Sequence, residues 1–135
     1  MSDRRHPRPE PVVALFVAVT WAAVVFAVDG LLSVLLNRDP IPAHVSPYYG
    51  LAAMALAAIV VWIALTVSAA GNAPWLAAVT AAAAVYLLLV ASALPVGLRL
   101  IAVQAASPFV ACAAVVAAIA VIAMWAGVRR WRSAP

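Results

Sequence analysis

The sequence predicts an all-α integral membrane protein: a four-helix bundle of up-down-up-down topology with both termini in the cytoplasm. Of its 135 residues, 69% are hydrophobic and only 9% are charged, whereas soluble domains are about half apolar and a quarter charged. A soluble domain of this size has too much surface to hide so many apolar side chains. The apolar residues also fall into four long runs, and lipid is therefore their predicted solvent.

The first span is predicted over 12–36, after a cytoplasmic tail of residues 1–11. The tail, MSDRRHPRPEP, is charged and rich in proline, a composition that does not form a packed core. Its last residue, Pro11, suits the first turn of a helix. A helix needs about 20 residues to cross about 30 Å of hydrocarbon, so this run is long enough to span.

A helical hairpin is predicted for the second and third spans, over 48–70 and 75–94. The loop 37–47 before them contains three prolines and most of the polar groups of the middle of the chain. The link GNAP at 71–74 combines helix-ending Gly and Asn with a Pro that starts the next helix. Such a short link makes the two helices antiparallel neighbours.

The stretch 95–107 admits two interpretations. A proline and a glycine in its first three residues break a helix, yet most of the stretch is apolar. It is therefore either an interfacial segment or a kinked extension of the third helix. The fourth span is predicted over 108–128, followed by a basic cytoplasmic tail at 129–135, and the four spans form one domain over 12–128.

The arginines predict the orientation. The chain has eight cationic residues, all arginine, and six of them lie in the two terminal tails. The positive-inside rule places these tails in the cytoplasm. The membrane is expected to be the cell's inner (plasma) membrane. Aromatic residues at both interfaces agree, with Trp75, Trp125 and Trp131 at the inner side and Tyr48 and Tyr49 at the outer side.

Asp29 is the one acidic residue inside a predicted span, and ionisable groups in that position are costly and often functional. Small side chains let helices approach closely, so the helix face that carries Asp29 is expected to point into the bundle. This small-residue stripe follows helical spacing and comprises Ala14, Ala18, Ala22, Val25, Asp29 and Ser33.

Two roles are open for Asp29. It lies toward the outer end of its span, where it could be a structural residue paired with Arg99, the arginine on the same side that also lacks charge compensation. The alternative is an intramembrane substrate or proton site. Asp29 and Arg99 are therefore the candidate site residues.

No residue pattern for catalysis, metal or cofactor binding is found. P-loop, GxSxG and HExxH motifs are lacking, and four acidic residues in the whole chain leave few candidates for general acid–base catalysis. Cys112 is the single cysteine, and His6 and His44 belong to opposite sides of the membrane. No enzyme activity is expected. Nucleic acid is not an expected partner, because the arginines flank membrane spans.

In length and number of spans the chain is similar to small multidrug resistance transporters, which carry a glutamate in the first membrane helix. Here no glutamate lies in that span and Asp29 is displaced toward the outer end, so the similarity ends at architecture. Over its whole length the chain resembles short four-span membrane proteins of high-GC actinobacteria, which are rich in Ala, Val and Arg and form a family of unknown function. This resemblance implies no activity.

The sequence therefore predicts a non-catalytic accessory or structural subunit in the lipid bilayer. It would pack through its Ala-rich faces against a second copy or a larger membrane complex. The alternative is a small transporter or channel-like oligomer that uses Asp29. Few polar residues occur at mid-depth, where a transporter needs a wet path, and this favours the first interpretation.

Overall fold

The computed structural model describes residues 10–39, 45–68 and 73–133. The described residues form four long helices and one short one, which are α1 (Glu10–Leu36), α2 (Pro47–Ser68), α3 (Pro74–Ala91), α4 (Leu98–Ala105) and α5 (Pro108–Arg132). The four long helices are long and apolar enough to cross a membrane. The chain is an integral membrane protein with the predicted all-α bundle.

The long helices are arranged in a ring in the order α1, α2, α3 and α5. Each contacts the next, α5 closes the ring against α1, and α3 with α5 forms the most extensive pair. Consecutive helices are antiparallel. For example, the Nε1 of Trp62, near the end of α2, donates to the carbonyl of Pro11, at the start of α1, over 3.2 Å.

This topology gives the bundle two ends. The starts of α1 and α3 and the ends of α2 and α5 form the arginine end, named for Arg129 and Arg130. The opposite end contains the ends of α1 and α3, the starts of α2 and α5, and the short helix α4. It is called the α4 end below.

A proline stands in the first turn of every long helix: Pro11, Pro47, Pro74 and Pro108. Proline is well tolerated there because the first N–H groups of a helix have no partner within the helix, and its fixed φ is already helical. The repeated proline explains why the predicted starts of the spans agree closely with the observed ones.

The third helix ends earlier than predicted, at Ala91 instead of residue 94. Pro95 has no N–H to donate to the carbonyl of Ala91, and its ring would clash with that carbonyl in a continuing helix. The chain passes instead through a tight turn over 92–97, which ends at Gly97 with φ +142°. Only glycine adopts this backbone conformation readily. The stretch 95–107 thus contains a separate short helix, α4, and is not a kinked extension of α3.

The predicted end of the second span, at residue 70, and part of the GNAP turn, at 71–72, lie outside the described residues. The end of the fourth span differs from the predicted one, because α5 continues through the basic cluster to Arg132 instead of ending at residue 128. The histidines His6 and His44 also lie outside the described residues.

The predicted orientation of α1 is confirmed by burial. The small-residue stripe faces the other helices, with Ala14 and Ala18 fully enclosed, while Phe16 and Phe26 point outward and are 70% and 75% exposed. Outward-facing apolar side chains are expected where the surrounding solvent is hydrocarbon. Because the side chains of the stripe are small, α2 and α5 approach α1 closely.

The interior between the α4 end and the arginine end is filled by apolar side chains. The largest is Trp21, whose indole Nε1 donates to the carbonyl of Ala113 on α5 over 3.3 Å. This bond links α1 to the neighbouring helix α5 and satisfies the indole N–H of Trp21. The largest fully buried side chains are Trp21, Val25, Val61, Leu65, Val85 and Val121.

Candidate functional site

A cavity of about 80 Å³ lies at the α4 end of the bundle and is partly open to the outside. A water molecule takes up about 30 Å³ in the liquid, so the cavity has room for a few waters or a small solute. Every helix contributes to its wall, which is formed by Asp29, Tyr49, Gly50, Ala53, Met54, Leu89, Ser92, Gln104, Phe109, Val110 and Ala113.

Among the described residues of this wall, Asp29 supplies the only acidic group. The small-residue stripe of α1 carries its side chain inward, and its Oδ1 atom is buried with no hydrogen-bond partner among the described residues. Removing a carboxylate oxygen from water without a compensating partner is costly. In a membrane protein such a group is a candidate for binding or proton transfer.

A pair of hydroxyl groups forms a second polar element of the wall. The oxygens of Tyr49 and Ser92 lie 2.8 Å apart, and Ser92 donates its proton to the carbonyl of Leu89 over 2.7 Å. The proton between the two hydroxyls therefore belongs to Tyr49, which donates to Ser92. This bond joins the start of α2 to the end of α3, and it leaves lone pairs on the tyrosine oxygen.

The third polar element comes from α4, which covers the cavity. Leu100 and Gln104 lie one turn apart on the same face of this helix, and both are buried. The hydroxyl of Tyr86 on α3 donates to the carbonyl of Ala105 over 2.8 Å. This bond satisfies a carbonyl in the last turn of α4, which has no partner within its own helix, and holds α4 against α3.

Arg99 does not reach the cavity. It is exposed on α4, it does not line the wall, and no described residue forms an ion pair with Asp29. Successive residues of a helix are separated by about 100° around its axis, so the inward direction of Leu100 turns its neighbour Arg99 away. The predicted Asp29–Arg99 ion pair is not formed in this structure, and a substrate role for Asp29 stays a prediction.

Three of the polar residues at the cavity were not predicted as site residues. Tyr49 was assigned to the outer aromatic belt with Tyr48; Tyr48 is indeed 77% exposed, but Tyr49 turns inward. Ser92 donates back to its own helix at Leu89 while also accepting from Tyr49. Gln104 was the available signal, since an uncharged amide in an apolar stretch needs polar partners.

A second surface feature is an open apolar groove of about 750 Å³ between α3 and α5, flanked by Trp75 and Tyr86. Its floor is built largely of alanines, so the backbones of the two helices lie close to the surface. These are Ala78, Ala82, Ala83, Ala111, Ala114 and Ala118. It is referred to below as the alanine groove.

Comparisons of the chain with protein families, with curated proteins and with solved structures found no match. Function must therefore be argued from the chain's own residues. Within 10–39, 45–68 and 73–133, no three His, Cys, Asp or Glu side chains are grouped as metal ligands would be. The Asp29 cavity and the alanine groove both have a shape suited to binding.

Proposed function

We propose that this protein is a non-catalytic accessory subunit of the plasma membrane, which packs against other membrane helices through the alanine groove. The observation that carries the proposal is the groove itself. In lipid, helices associate chiefly where small side chains allow close packing, because burying apolar surface gains little there. A helix seated in the groove would make these contacts with the backbones of α3 and α5.

The packed interior supports a subunit over a conducting protein. Between the Asp29 cavity and the arginine end, the core is apolar and contains Trp21 and the fully buried side chains of Val25, Val61, Leu65, Val85 and Val121. Ser68, a buried polar side chain of the arginine end, donates to its own helix at Leu65. The described residues of a single chain in this conformation form no polar path for a solute through the membrane.

The cavity favours a second candidate function, a small transporter or channel-like oligomer that uses Asp29. Transport would require the layer around Trp21 to open, or several copies to surround a shared path. Uptake of solute into vesicles that contain the purified chain, lost on Asp29→Asn, would support this alternative. The same vesicles with no uptake would leave the accessory subunit as the better interpretation.

For the orientation, we place the arginine end in the cytoplasm. Arg129 lies over the ring of Trp125 at 4.4 Å from its centroid, and Trp75 and Trp131 of the same end are exposed. This arrangement is typical of a membrane interface on the positive side. Reporter fusions at residues 3 and 133 should both report the cytoplasm, whereas one at residue 39 should report the outside.

The experiment that tests the proposed function fills the groove. Ala83→Leu and Ala118→Leu add bulk to its floor, and Ala55→Leu on the exposed face of α2 is the matched control. In a mild detergent, sedimentation should give an assembly larger than one chain for the wild type and for Ala55→Leu. The two groove variants should sediment as single chains.

Two results would contradict this proposal. One is a wild-type protein that sediments as a single chain and co-purifies with no other membrane protein. The other is an assembly that both groove variants keep unchanged, which would place the contact on a different face.

A further inference from the structure

We propose that the Asp29 cavity is a binding site for a small protonated amine, an alkylammonium ion of about four to six heavy atoms. Its ammonium group would lie against Asp29 and its hydrocarbon part against the apolar wall. This inference concerns the α4 end of the bundle and does not depend on the alanine groove.

The charge of the site calls for a cation. Asp29 has a buried oxygen without a hydrogen-bond partner among the described residues. Arg99, the cationic side chain that the sequence predicts as its ion-pair partner, is exposed and points away from it. In a medium of low dielectric constant, a carboxylate attracts a positive charge more strongly than it would in water. A ligand that brings one positive charge compensates the cost of burying this carboxylate.

The donors and acceptors of the wall suit an ammonium better than a metal ion. A primary ammonium has three N–H donors, and the wall offers it the Asp29 carboxylate, the Gln104 amide oxygen and the Tyr49 hydroxyl. Calcium takes six to eight oxygen ligands and magnesium a near-ideal octahedron. The side chains of the described wall residues supply one carboxylate, one amide and two hydroxyls, which fall short of either.

The remainder of the wall is apolar and suits a short hydrocarbon chain. Phe109 and Val110 from α5 are both buried, and Leu89 and Met54 complete this side. The aromatic rings of Phe109 and Tyr49 are also able to attract a cation through their faces. The size of the ligand follows from the cavity volume of about 80 Å³, which excludes bulky multi-ring cations.

The test uses the full-length chain in lipid nanodiscs, with n-propylammonium chloride as the probe. Calorimetry should detect saturable binding, and the unfolding temperature should rise with ligand concentration, because a ligand that binds only the folded state stabilises it. Propan-1-ol, which has a similar shape without the charge, and sodium chloride at equal ionic strength should produce neither effect.

Two matched variants localise the binding. Asp29→Asn removes the charge with almost no change in shape and should weaken the binding of propylammonium at least about tenfold. Asp39→Asn makes the same chemical change at an exposed position beyond the end of α1 and should bind like the wild type. If Asp29→Asn fails to fold, the comparison of propylammonium with propan-1-ol on the wild type still decides.

The proposal is overturned if the wild type does not bind propylammonium, or responds equally to propan-1-ol. Equal affinity of the wild type and a folded Asp29→Asn variant also overturns it, since the amine would then bind elsewhere. None of these results depends on whether the alanine groove forms an assembly.

Discussion

At the arginine end the long helices are regular and their side chains fill the interior, whereas at the α4 end α3 stops early and a cavity opens. The difference begins with helix length. α1 has 27 residues and α3 has 18, which gives α3 a length of about 27 Å. The side of the bundle that α3 forms is therefore incomplete at the α4 end. The short helix α4 covers the gap with the face that carries Leu100 and Gln104.

The same comparison separates packing residues from binding residues. Small and aliphatic side chains pack around Trp21 and fill this part of the core, so the described residues leave no room for a solute there. At the α4 end the facing residues include a carboxylate, an amide and two hydroxyls around an open space. The Ala-rich sequence thus forms two distinct regions, the packed core and the Asp29 cavity. A substitution in one region should disrupt it without disrupting the other.

The largest effect is expected from Trp21→Ala, which attacks the filled region. The variant leaves a hole in the core and removes the bond to the carbonyl of Ala113, and large-to-small changes of this kind cost about 3–5 kcal/mol. Phe26→Ala, at an outward-facing position of the same helix, should change stability little. Denaturation of both variants in detergent measures the difference, and equal losses would mean that Trp21 does not anchor the core.

Gly97→Ala should produce the next largest effect, because it strains the turn that positions α4. No atom lies within 4 Å of the added Cβ, so the cost comes from the backbone conformation and is of the order of 1–3 kcal/mol. Gly127→Ala, which also meets no neighbour but lies within α5, should be neutral or slightly stabilising. Hydrogen exchange should show faster exchange of α4 amides in Gly97→Ala alone.

A smaller effect is expected from Tyr49→Phe, which removes the hydroxyl pair of the cavity wall. Loss of its hydrogen bond to Ser92 should cost about 0.5–1.5 kcal/mol. Tyr48→Phe is the matched control, because that neighbouring side chain is largely exposed. The same thermal unfolding curve for both variants would contradict the inward placement of Tyr49.

The smallest effect concerns Asp29 and Arg99. Since the two side chains do not pair, Asp29→Asn and Arg99→Gln should change stability additively, within about 0.3–0.5 kcal/mol. A double-mutant cycle in detergent measures the coupling. A coupling energy well above that range would show that the ion pair expected from the sequence forms in the membrane.

Much of the fold was predictable from the sequence. The four spans were predictable because hydropathy identifies apolar runs and each helix has a proline in its first turn. The inward face of α1 was predictable from the spacing of its small residues. The helix break near Pro95 was expected as well. The helix ends three residues before the predicted residue 94, because Pro95 has no N–H to donate to the carbonyl of Ala91.

The composition of the cavity was harder to predict, since it depends on which way single side chains turn. Arg99 and Asp29 share one end of the bundle, but only the rotation of α4 decides that Gln104, and not Arg99, faces inward. Likewise, two consecutive tyrosines start α2, and a helix necessarily points them in different directions. Sequence position alone placed both at the interface.

Thiol labelling tests the contrast between the two regions most directly. In a Cys112→Ala background, a single cysteine is placed at Met54 in the cavity wall or at Val61 in the core, both on α2. A small membrane-impermeant thiol reagent, 2-(trimethylammonio)ethyl methanethiosulfonate, added from outside should label Met54→Cys in intact cells and leave Val61→Cys unlabelled. Equal labelling of both positions, or none at Met54→Cys while Tyr48→Cys is labelled, would contradict an accessible cavity above a closed core.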